Sequence, residues 1–261
     1  MALYNAWQAE GLSELHRALI AQIDSDDDLV EEGDLRGLAD LAQQGWSQLE
    51  RAALARGRQI HPDLGRSVRL IAEAGTEYYA FFNQGDGETR SALVVTSGDD
   101  ALRVVLTPDK QFVLEPIRAE DGAQSLISAL PEMQPGRGGT ISLPADAMNS
   151  NSRRGNDFDG EGGDSLLQAS RPAGPNVAQT EQLKKLLHEK RLGGGQLHVA
   201  GRDRFGKKQR CPAPLTYFDT ETGRYVSVKL TGGDGTPWLT VQPADFRTMT
   251  GRLQQLTSTL S

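Results

Sequence analysis

The spacing of apolar residues changes character along the chain. Leu12, Leu15, Leu19 and Ile23 recur at intervals of three or four and predict a helix over residues 4–23. Leu35, Leu38, Leu41, Leu49 and Leu54 predict a second helix to about residue 56, ended by Gly57. His61-Pro62-Asp63 predicts the start of a third, since proline in the first turn costs no hydrogen bond; Gly75 is a plausible stop. Between the first two helices, residues 24–34 hold seven carboxylates, which reads as a solvated linker.

From Glu77 the period becomes two. Residues 78–83, 91–96, 102–106 and 112–115 predict four short strands, separated by Gly85-Asp86-Gly87, Ser97-Gly98-Asp99-Asp100 and Pro108-Asp109-Lys110. Pro116 stops the meander, and a helix over 119–130 carries Leu126, Ile127 and Leu130 on one side before Pro131. Residues 133–178 are rich in Gly, Ser, Asn, Asp and Pro. Within them 141–143 suggests a short strand, and 149–163 has too little apolar content to bury and is expected to be mobile.

The same order then returns. A helix over 177–191 places Leu183, Leu186 and Leu187 inward, and Gly193-Gly194-Gly195 is expected to break it. Strands follow at 196–203, 215–219, 225–230 and 238–242, with turns at Phe205-Gly206-Lys207-Lys208, Thr220-Glu221-Thr222-Gly223 and Gly232-Gly233-Asp234-Gly235. Pro243 precedes a closing helix with Phe246, Met249, Leu253 and Leu256 on its apolar side.

Two copies of one helix–four-strand–helix unit predict an α+β fold. The expectation is two pseudo-twofold-related lobes, each a mainly antiparallel sheet with flanking helices, at 1–134 and 177–261, with a flexible linker at 135–176 and both lobes in one compact domain. Antiparallel sheets often leave one face open. Val226, Val228 and Leu230 are expected to point to the helices, and Tyr225, Ser227 and Lys229 away. Trp238, Thr240 and Gln242 alternate with Leu239 and Val241 in the same way. A half-polar face with Tyr and Trp is a candidate partner surface. The simpler alternatives are that it is solvated or packs on the other lobe.

Composition narrows the function classes. The 261 residues carry 28 basic and 35 acidic side chains, a net charge of −7, which argues against a protein built to grip phosphate backbones. The one cysteine, Cys211, rules out an internal disulfide or a cysteine-based zinc site. No apolar run reaches the ~20 residues needed to span a bilayer, and no secretory signal is visible at the start, so a cytoplasmic protein is expected.

Catalytic chemistry finds no footing. Gly193-Gly194-Gly195 and Gly136-Arg137-Gly138-Gly139 precede strands, whereas a phosphate cradle opens a helix. His16, His61, His188 and His198 are scattered, and His198 reads as a surface or interface residue. Asp157, Asp159 and Glu161 imitate a calcium loop, but Gln168 stands where the bidentate glutamate belongs. There is no G-x-S-x-G elbow. No cofactor or metal is expected, and the chain reads as a non-enzyme. Arg202, Arg204, Lys207, Lys208 and Arg210 cluster around Phe205 in one hairpin. A solvated turn is the simplest reading, a patch that steers a partner the second, and nucleic acid the third.

Gly193-Gly194-Gly195-Gln196-Leu197-His198-Val199-Ala200, Arg202-Asp203-Arg204, Pro214-Leu215-Thr216-Tyr217-Phe218-Asp219-Thr220, Gly223-Arg224-Tyr225 and Trp238-Leu239-Thr240-Val241-Gln242-Pro243-Ala244-Asp245 together resemble the C-terminal half of the EspG family of type VII (ESX) secretion chaperones. Gly11-Leu12, His61-Pro62-Asp63-Leu64, the strand from Glu77, and Leu130-Pro131 resemble its first half more loosely. The resemblance implies two quasi-symmetric α/β lobes and a cytosolic, non-enzymatic chaperone. Its partner would be a helical-hairpin secretion substrate, PE–PPE-like or WXG-type. Monomer and homodimer are both open.

Candidate contacts are Tyr217, Tyr225 and Trp238 on the open sheet face, Gln84, Asp86 and Glu88 on one turn, and Arg202, Arg204, Phe205 and Lys207 on another. The competing reading is a regulatory module that binds a small ligand or nucleotide in the cleft between lobes.

Overall fold

The computed structural model describes residues 1–23, 35–107, 111–144, 175–231, 233 and 235–260. The acidic stretch 24–34, the turn at 108–110, the loop 149–174 with its calcium-like carboxylates, and two positions of the 232–235 turn lie outside the described residues. The chain forms two compact units, one of residues 1–132, 195–214 and 246–261, the other of 133–194 and 215–245. The fold is α+β, with antiparallel sheets flanked by helices. The units are interleaved along the chain, whereas the repeat read from the sequence is sequential.

In the first unit the N-terminal segment forms two helices rather than one, α1 (Ala2–Ala9) and α2 (Arg17–Ile23). Gly11 takes a left-handed φ of 64° and ends α1, a conformation that glycine adopts without steric cost. The Trp7 indole N–H then ties the reversal by donating to the Ser13 carbonyl at 2.8 Å. The next helix, α3 (Leu35–Arg51), stops before residue 56 because Ala53 turns to φ 55°. A small hairpin of β1 (Ala55–Arg56) and β2 (Gln59–Ile60) follows. α4 (Pro62–Glu73) starts where expected, with His61 Nδ1 accepting the Asp63 N–H at 3.2 Å as its cap.

Four strands follow as a meander: β3 (Thr76–Asn83), β4 (Arg90–Ser97), β5 (Asp100–Leu106) and β6 (Phe112–Pro116), each antiparallel to its neighbour. The register sets Tyr79 opposite Leu93, Leu93 opposite Val104 and Val104 opposite Leu114. This row packs with Trp7, Val68 and Ile71 from α1 and α4. Fully burying a large side chain of this kind contributes roughly 1.5–3 kcal/mol before entropy.

The opposite face carries Tyr78. It receives α5 (Gly122–Ile127), which follows a 3₁₀ turn, and the Thr257 hydroxyl from the closing helix. Gly122 permits that approach, since a Cβ there would lie 3.0 Å from the Tyr78 ring.

In the second unit α6 (Pro175–His188) covers one face of a sheet that includes β7 (Ile141–Pro144). β8 (Arg191–Arg202) follows, its first four residues in this unit and the rest in the first, beside β3. The glycine triplet therefore lies inside a strand instead of breaking the chain. A Cβ on Gly194 would meet the Tyr217 carbonyl oxygen at 2.9 Å, so close backbone approach accounts for the glycine. Among the described residues β9 (Lys208–Arg210) pairs with β8 alone, in the first unit.

The strands of the second unit continue with β10 (Leu215–Thr220), β11 (Gly223–Thr231) and β12 (Pro237–Pro243), which pairs β7. The closing helix, α7 (Phe246–Ser258), belongs to the first unit. Among the described residues no helix is long and apolar enough to cross a membrane.

Candidate partner-binding surface

The hairpin between β8 and β9 is held by a set of hydrogen bonds at its base and across its turn. Arg202 donates from Nε to the Ala74 carbonyl at 3.2 Å, from Nη2 to Ala72 at 2.8 Å, and from Nη1 to Gly206 at 3.2 Å. Its backbone N–H donates to the Gly75 carbonyl at 2.8 Å. Asp203 Oδ1 accepts the backbone N–H groups of Phe205 and Lys207, each at 2.9 Å. This is the local capture by which Asp favours turns. At the base, Lys208 Nζ lies 2.6 Å from Glu77 Oε2.

That scaffold holds one aromatic ring outward. Phe205 is 80 % exposed, the largest value for a big apolar side chain among the described residues. The Arg204 guanidinium stands 4.8 Å from its ring centroid. Arg204, Lys207 and Arg210 are exposed, and none of the three makes an ion pair with a described residue.

Beneath the hairpin lies a buried polar cluster. Glu77 is 2 % exposed and contacts His16 Nε2 at 3.1 Å as well as Lys208. Burial alone would push the Glu77 carboxyl up, but the hydrogen bonds from His16 and Lys208 outweigh it and hold it below its usual range. His198 stacks on Tyr79 with ring centroids 4.8 Å apart. Burial, with Arg17 and Arg210 adding repulsion, pulls its pKa down to about 4. It is half-buried and packs its ring on Tyr79.

Gln84, Asp86 and Glu88 are exposed on the β3–β4 turn. The Arg90 guanidinium pairs with Asp86 Oδ2 at 2.7 Å and with Glu88 at 3.2 Å, and holds the Asp86 carboxyl down at about 2. The two candidate turns are not neighbours. Arg202 meets Gly75 just before β3 begins, whereas Gln84 follows its last residue. Eight residues of strand separate them, roughly 25 Å.

The expected open face is corrected at two positions. Tyr225 is 4 % exposed and lies on the face that α6 covers, stacked on Phe218 and packed with Leu183 and Leu186. The cross-strand pairing of Phe218 with Tyr225, and of Val241 with Ile141, places these residues on one side. Tyr225 Oη donates to the Arg137 carbonyl at 2.9 Å, a polar anchor that the alternation alone does not reveal.

Tyr217 is 1 % exposed, with Arg224 against its ring at 4.6 Å; burial pushes its phenol up. Neither tyrosine is accessible to a partner in this structure. Trp238 is half-buried on β12.

Reasoning from sequence did not assign roles to Asp203 and Glu77. An aspartate two residues before Phe205-Gly206 is the signal for the first. Nothing local signals the second, because its partners His16 and Lys208 are far away in sequence. Among the described residues no three His, Cys, Asp or Glu side chains gather as a metal site. No curated protein matches the sequence. The model of the EspG family matches residues 1–255, and the chain belongs to this family of ESX secretion-associated chaperones.

Proposed function

We propose that this chain binds a helical-hairpin substrate, PE–PPE-like or WXG-type, in the cytoplasm and holds it for type VII secretion. Chaperones of the EspG family bind ESX secretion substrates, so the proposal adds the shape of the substrate and the surface used. The observation that carries the surface is Phe205, an exposed ring on a turn already fixed by Arg202, Asp203 and Lys208. Exposed aromatic and arginine side chains on a preordered frame favour association, because little conformational freedom remains to be lost. Trp238 and the turn bearing Gln84, Asp86 and Glu88 are secondary candidates.

Co-expression with each secretion substrate of the chain's own ESX gene cluster tests the reading. A stoichiometric complex with a helical-hairpin substrate on size exclusion is the expected result. Absence of a complex with every such substrate would overturn it.

A further inference from the structure

We infer that the hairpin from Asp203 to Lys208 is a preformed knob that docks an acidic protein segment, with Phe205 set among the segment's apolar side chains and Arg204, Lys207 and Arg210 meeting the carboxylates around them. The inference rests on the chaperone reading and names the chemistry of the segment recognised.

Charge placement supports the occupant. The hairpin region has five cations, and two of them are spent internally, Arg202 on backbone carbonyls and Lys208 on Glu77. The other three are exposed, Arg204 against the Phe205 ring, Lys207 two residues beyond it and Arg210 at the end of β9, and they make no ion pair with a described residue, in a chain whose net charge is −7. A basic cluster without an ion pair among the described residues, on an acidic protein, steers one kind of approach, that of a segment richer in carboxylates than the rest of the surface.

Protecting an edge strand would account for basic residues on β9, a three-residue edge. It does not account for an 80 % exposed phenylalanine at the tip, which such protection would disfavour. Nucleic acid is less well served. The patch has one aromatic ring, that ring already carries Arg204, and stacking platforms set several aromatics along a groove.

The geometry also explains why the site is ready before binding. Asp203 captures the two N–H groups flanking the ring's turn, so Phe205 is presented without further ordering of the backbone.

The test uses the full chain and fluorescence anisotropy. One probe is a labelled helical peptide with two adjacent leucines flanked by glutamates. The second has lysines in place of the glutamates, and the third is single-stranded DNA. The glutamate peptide should bind, more weakly as salt rises, and the lysine peptide should not. Phe205→Ala should weaken binding about tenfold or more, and Arg204→Glu combined with Lys207→Glu should abolish it. Circular dichroism should show each variant folded, and Phe205→Tyr should retain most of the affinity.

Preference for the lysine peptide or for DNA, or wild-type affinity in Phe205→Ala, overturns the inference. If an ESX substrate co-elutes equally with the wild type and with Phe205→Ala, the knob fails and the chaperone reading stands. If no ESX substrate co-elutes with the wild type, the chaperone reading fails, and the peptide comparison still decides the chemistry of the hairpin.

Discussion

Glu77 and Lys208 are joined across 2.6 Å, and this pair fastens an exposed basic hairpin to the start of β3. Glu77 is almost wholly buried, while the Lys208 side chain is 30 % exposed. The anchor therefore has one dry end and one wet end.

Glu77→Gln should destabilise the first unit by about 1–3 kcal/mol, since Lys208 and His16 lose a charged acceptor. Its sign with pH follows from the lowered carboxyl. The stabilisation is present above the unfolded value of 4.5 and is lost as pH falls through the lower folded value. Urea unfolding below pH 4.5 should show a steep loss for the wild type and a shallower one for the variant.

His198 acts in a different window. Its folded pKa of about 4 lies below the ordinary histidine value of 6.5, so between these limits the unfolded chain binds the proton and the folded chain does not. Stability should fall as pH drops from 6.5 to 4. His198→Gln should flatten that slope in thermal unfolding curves, whatever it does to stability at neutral pH.

Two glycines with positive φ should respond differently to alanine. At Gly223, φ is 120° and a Cβ would meet the carbonyl oxygens of Gln134 and Pro135 at 2.7 Å. At Gly206, φ is 77° and the surrounding space is open. Gly223→Ala should cost more than about 3 kcal/mol or prevent folding, and Gly206→Ala about 1 kcal/mol. Denaturant midpoints compare the two directly.

Asp219 and Arg224 form a bidentate pair at 2.7 Å for both bonds, buried at opposing positions of β10 and β11. Asp219→Ala leaves a guanidinium buried without its carboxylate and should cost about 3–5 kcal/mol. Replacing both residues with apolar ones of similar volume should recover much of that loss, as chemical denaturation of the double variant would show.

The meander from β3 to β6 was legible because each strand is short, alternating and closed by turn residues. The start of α4 was legible because His61-Pro62-Asp63 combines a cap with proline in the first turn. The broken N-terminal helix was not, since its apolar spacing continues across Gly11 and only the backbone geometry there shows the reversal. The glycine triplet read as a breaker because nothing local distinguishes a breaker from a strand pressed against Tyr217 and Phe218.

The same limit applies to Tyr225. On β11 both Tyr225 and Val226 are buried, so alternation identified two faces but not which of them α6 would cover. In the candidate surface, Phe205 and its cations were visible as residue types. Their fixation by Asp203 and Glu77 was not, because it depends on contacts made by folding.

Cys211 directly follows β9, and its backbone N–H donates to the Val199 carbonyl at 2.9 Å, which ties it to the base of the hairpin. It is the chain's one cysteine and is half-buried. Nature has thus left a single thiol a few residues from Phe205. A maleimide dye attached there needs no engineered site and no removal of competing cysteines, and its emission would report in real time whatever settles on the knob.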